Sequence, residues 1–228
     1  MRSTKISAVA LAGLLSLTLA ACGDDDESTA TPSSNESSSS SSSAASTEPI
    51  AEIADLSNGV STAVTVDAGF LEGLTALGVT PGVIGTATLT DGVLSFPITG
   101  GNVSVFDKAV VDPYITGEIQ HNGSGLSLTA GGIKVDLENF VVDPGESVLT
   151  GKVSANGEVA AESANLFFLD GSTLQPVRTE GTNAIVEGTT VKLHPDAAQL
   201  LRDTYGVTAE QLPDFFTVGI AKITAATQ

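Results

Sequence analysis

The sequence predicts a mainly β protein, an antiparallel β-sandwich or flattened barrel with two short helices. Three features carry that expectation. In "LSFPI", Leu94, Phe96 and Ile98 alternate with Ser95 and Pro97, and in "IKVDLEN", Ile133, Val135 and Leu137 alternate with Lys134, Asp136 and Glu138. A period of two with one apolar face marks strands of an antiparallel sheet buried on one side. Turn clusters punctuate the pattern at "HNGSG" 121–125, "AGG" 130–132, "DPGE" 143–146, "ANGE" 155–158 and "LDGS" 169–172, where Gly and Asn supply the positive φ of tight turns. Residues 115–154 therefore read as a meander of about four strands.

The third feature is an internal echo. "VTVDAGFLEGLTALGVT" (64–80) and "VKLHPDAAQLLRDTYGVT" (191–208) align with one insertion. Each reads as a short strand, a helix of about three turns, then Gly-Val-Thr and a further strand. Asp67 suits the cap of the first helix. His194 reads as a cap residue of the second, Pro195 suits its first turn, and Asp196 lies at the favourable end of its dipole. Gly78 and Gly206 fall where left-handed C-caps belong. Phe70, Leu74 and Leu77 form one apolar stripe, and Ala197, Leu200, Leu201 and Tyr205 the other, both of a kind that packs a core. The two copies invite a pseudo-symmetric pairing.

The N-terminus bears on location. Arg2 and Lys5 precede an apolar run, Ile6 to Ala21, of signal-peptide rather than membrane-spanning length. It ends in "LAAC" at 19–22, and Cys22 is the only cysteine. This resembles the lipobox of bacterial lipoproteins. The resemblance implies cleavage after residue 21, palmitate-type lipidation of Cys22, and anchorage at the extracytoplasmic face of the cell membrane. Residues 22–57 then form a linker, with "DDDE" at 24–27 and seven serines from Ser37 to Ser43. Over most of its length it holds too little apolar surface to offset its ordering entropy. A single domain is expected from Asn58 to Gln228.

The formal charge is −18, and after removal of Arg2 and Lys5 the seven basic residues are scattered, which argues against nucleic acid. No nucleophile elbow, P-loop, zinc-protease motif, EF-hand loop or dinucleotide fingerprint is present. With two His, one Cys and no Trp, the residues for nucleophilic or zinc chemistry are scarce. The expectation is a binding or structural protein without catalysis, cofactor or metal, meeting an extracellular ligand or protein through its loops. A hydrolase built on paired carboxylates is an alternative, requiring two buried acids facing each other in a cleft.

One segment stands apart. "FPITGGNVSV" (96–105) and "YITGEIQHNGSGLSLTAGGIKVDLENFVVDPGESVLTGKVSANG" (114–157) resemble the HtaA-type domain of actinobacterial surface haem-binding proteins. The shared features are a strand ending in a His and a Gly turn, an L-x-L hairpin partner, "VDLENFVVD" and the closing "LTGKV". The resemblance spans about a third of the chain. It implies a β-rich fold with a couple of short helices, and haem held by a Tyr ligand assisted by a His. Carried over, these are Tyr114 and His121. Side chains alternate along a strand. In an unbroken one Tyr114 would share the polar face with Thr116, Glu118 and Gln120, and His121 the other with Ile115, Gly117 and Ile119. A joint site then needs a bulge, for which Gly117 is the candidate. Without one, Tyr114 is an interfacial strand aromatic and His121 a turn-flanking residue bonded to backbone near Asn122.

Overall fold

The structure, a computed structural model, describes residues 47–226. The signal segment, Cys22 and most of the expected linker lie outside the described residues. Strands come first as β1 (Ala51–Ile53) and β2 (Ser61–Val66), then helix α1 (Ala68–Ala76). The short strands β3 (Thr80–Gly85), β4 (Thr88–Thr90), β5 (Val93–Pro97) and β6 (Gly100–Val105) follow. Long strands make up the centre: β7 (Ile115–Ala130), β8 (Ile133–Asp143), β9 (Val148–Ala155) and β10 (Glu158–Asp170). The chain closes with β11 (Arg178–Glu180), β12 (Asn183–Leu193), α2 (Pro195–Tyr205) and β13 (Thr217–Ala226).

These strands form one antiparallel sheet in the order β1-β6-β7-β8-β9-β10-β12-β13-β2-β5-β4, with β3 on β7 and β11 on β12. The sheet curls into a half-barrel. The two layers expected of a sandwich are thus opposite walls of one sheet, and the fold is mainly β with two short helices, as the alternation predicted. Leu94, Phe96 and Ile98, and likewise Val135 and Leu137, point into the core.

Both helices start as their sequences require. Asp67 Oδ1 accepts from the Gly69 and Phe70 amides at 2.8 and 3.3 Å. His194 Nδ1 accepts from the Asp196 amide at 3.2 Å, with Pro195 in the first turn. Gly78 (φ 65°) and Gly206 (φ 66°) end the helices in the left-handed region, where a side chain would be strained. Leu74, Ala197, Ala198 and Leu201 pack into the larger apolar cluster beside Leu94, Leu137, Phe140 and Phe167.

Three expectations change. The "HNGSG" segment is not a hairpin turn: β7 runs straight through it, and 115–154 holds three long strands rather than four. His121 pairs with Phe140 and Gly125 with Glu138, so Asn122, Gly123 and Ser124 bulge opposite Asn139 alone. The bulge is pinned from both sides. The Gly123 amide donates to Asn139 Oδ1 at 2.9 Å, and the Ser124 hydroxyl to the His121 carbonyl at 3.0 Å. Secondly, the echo is not symmetric in pairing. β12 and β13 flank α2 and pair with each other, whereas β2 pairs with β13 and β5, and β3 joins β7. Thirdly, the fold begins upstream of Asn58: β1 pairs with β6, and Leu56 is 2% exposed in a second apolar cluster with Ile98, Ile119, Val142 and Ala225.

Candidate functional site

The half-barrel is not filled. Between its walls lies a cavity of about 820 Å³, within the span of roughly 300–1,000 Å³ typical of small-molecule sites. Its walls are mostly aliphatic and aromatic, including Leu56, Phe96, Ile119 and Val142.

Polar side chains border it at several places, Ser147, Gln175 and Thr189 among them, and two places stand out. His121, 1% exposed, and Thr62, 7% exposed, form a buried pair on its wall. His121 Nδ1 lies 2.9 Å from the Pro97 carbonyl and Nε2 lies 3.2 Å from Thr62 Oγ1. A carbonyl can only accept, so Nδ1 carries the proton and Nε2 takes the hydrogen of the threonine hydroxyl. Burial pushes the imidazole pKa below 6.5, which keeps the ring neutral at pH 7. Its ring also meets Phe96 edge-on, the first step of a run of rings continuing through Phe140 to Phe167.

The second polar place is formed by Lys108, Asp112 and Tyr114, with Tyr114 39% exposed. These residues occupy the connection between β6 and β7, which includes a cis Asp112–Pro113 peptide. The Phe106 amide donates to the Tyr114 carbonyl at 2.7 Å, fixing the end of this loop against β6.

Tyr114 and His121 therefore border one cavity, and no bulge at Gly117 is involved. The β6–β7 register runs unbroken through Val103↔Gly117. Tyr114 stands just before β7 begins, so strand alternation does not govern it. His121 bonds the backbone at Pro97, across the barrel, rather than near Asn122. It thus links β7 to β5 and β2.

Sequence reasoning did not reach Thr62 or the Pro97 carbonyl, which meet His121 only because the sheet curls. It also assigned Ile53 and Leu56, both on the cavity wall, to the linker. Their apolar side chains amid polar neighbours were the available signal.

The carboxylate alternative required facing buried acids. The buried polar side chains among the described residues are Thr62, His121, Ser124, Ser127 and Ser154. No group of three or more His, Cys, Asp or Glu is placed to hold a metal among the described residues.

The chain matches no family model and no curated protein. Solved structures similar in fold include two of one domain. One is the C-terminal domain of HtaA from Corynebacterium glutamicum, at 16% identity and a TM-score of 0.49, covering 74% of this chain and 98% of that one. The other is a domain-swapped dimer of a histidine-to-alanine variant of the same domain, at 15% identity and a TM-score of 0.45, covering 71% and 92%.

Proposed function

We propose that the chain is a binding module without catalytic activity, held by a lipid on Cys22 at the extracytoplasmic face of a bacterial cell membrane, that takes an apolar ligand into its half-barrel. The large, mostly apolar cavity carries this reading. The basic start, the apolar run and the "LAAC" ending support the anchor. Titrating the mature chain with a polarity-sensitive naphthalene dye tests the cavity: fluorescence should rise and saturate, and Ala221→Trp, which fills the interior, should abolish the rise. A dye response unchanged in Ala221→Trp would refute the reading. Incorporation of labelled palmitate that disappears in Cys22→Ala tests the anchor.

A second reading, haem as the ligand, is favoured by one observation: Tyr114 and His121 border the same cavity. An apolar cleft with a phenol beside it is compatible with a flat macrocycle. Haem, when bound, supplies an iron centre that needs an axial donor from the protein. Tyr114 would be that donor, while His121, engaged by Pro97 and Thr62, would shape the wall beside it. Hemin titration should give a Soret shift that Tyr114→Phe removes. No shift would eliminate this reading and leave the apolar-ligand reading standing.

A further inference from the structure

A second, smaller cavity of about 260 Å³ lies under the helices, bordered by Phe70, Leu74, Leu201 and Tyr205 among others. It has its own chemistry. Its lining among the described residues holds no charged side chain, and its one phenol, Tyr205, donates its hydroxyl hydrogen to the Leu128 carbonyl at 2.7 Å. It offers no charged partner to a polar head.

Four side chains border both cavities: Leu94, Leu126, Phe167 and Val218. They form a septum of side chains, groups that change rotamer without moving the sheet. The charged groups bordering either cavity, Lys108 and Asp112, both belong to the larger one. Lys108 enters none of the ion pairs among the described residues. The polarity thus runs one way, from a charged border beside Lys108 and Tyr114, through a mostly apolar chamber, to an uncharged end under the helices.

We propose that the two cavities are one tunnel for a single long acyl chain. The ligand is a long-chain fatty acid, its carboxylate beside Lys108 and its chain passing the Phe167–Leu126 septum to end under α1 and α2. This rests on the apolar-ligand reading of the larger cavity and names the ligand class. Each methylene buried along the apolar path should tighten binding roughly three- to fourfold, so affinity should climb with chain length beyond what the larger chamber alone holds.

The sequence provides its own reporters. It has no Trp and two Tyr, one beside each chamber: Tyr114 at the charged border and Tyr205 at the uncharged end. In the mature chain carrying Tyr114→Phe, a stearic acid brominated at its terminal carbon should quench the remaining Tyr205 emission. The same acid brominated beside the carboxylate should not. Saturated acids from octanoic to docosanoic, competed against the naphthalene dye, should show rising affinity. In Val218→Phe, which thickens the septum, that rise should stop at a shorter chain than in the parent.

Terminal bromine that leaves Tyr205 unquenched, or a length limit identical in the parent and Val218→Phe, would overturn the tunnel. Dye binding with no competition by any fatty acid would overturn the ligand class while sparing the apolar cavity. Failure of the dye itself would strike the underlying reading instead.

Discussion

His121 Nε2 and Thr62 Oγ1 stand 3.2 Å apart across 59 residues of sequence, joining β7 to β2 on the inner side of the curled sheet. With Nδ1 on the Pro97 carbonyl, the ring spends both nitrogens holding opposite walls together. A buried polar group so paired is costly to disturb.

Stability should depend on pH through this ring. Its folded pKa lies below the unfolded value of 6.5 because burial disfavours the imidazolium. Between the two values the unfolded chain binds the extra proton, so stability is at its plateau above 6.5 and falls as pH drops through 6.5. Urea midpoints measured on either side of 6.5 should show this fall. His121→Phe should remove that contribution while lowering stability at neutral pH by about 1–3 kcal/mol, through the unpaired Thr62 and Pro97 groups.

The bulge in β7 should be intolerant at Gly125. A Cβ there would lie 2.2 Å from the Leu137 carbonyl oxygen, a backbone atom that cannot step aside. Gly125→Ala should cost roughly 2–4 kcal/mol by denaturant titration. Gly157, whose Cβ would meet nothing although its φ is positive, should respond less to the same change.

Loss of the first helix cap should be modest and local. Asp67→Ala leaves the Gly69 and Phe70 amides without their acceptor and should cost about 1 kcal/mol in denaturant titrations.

Tyr205 should titrate late. Burial pushes its hydroxyl up to about 12, so an ultraviolet base titration should show a late-ionising phenol that Tyr205→Phe removes. The same substitution gives up the bond to the Leu128 carbonyl, worth about 0.5–1.5 kcal/mol.

Local chemistry was the legible part. Asp67, His194, Pro195, Gly78 and Gly206 act where their side chains and φ preferences require, because helix ends are settled within a few residues. Strand faces at 94–98 and 133–138 follow from alternation for the same reason. Curvature was not legible. "HNGSG" has the composition of a turn, and only Asn139, brought alongside by β8, makes it a bulge within a continuing strand. The site was half visible: the segment holding Tyr114 and His121 could be singled out. Their shared cavity depends on the loop before Ile115, on Thr62, and on Ile53 and Leu56, which only tertiary pairing recruits.

β1 holds the sheet edge by three residue pairs with β6, while Ile53 at its end borders the interior. Traction reaching the domain from its upstream side is delivered to this strand before any other in the sheet. A seam of three residue pairs is therefore also the mechanical input, and strain there bears on the compartment wall at Ile53 before it reaches the longer strands behind it.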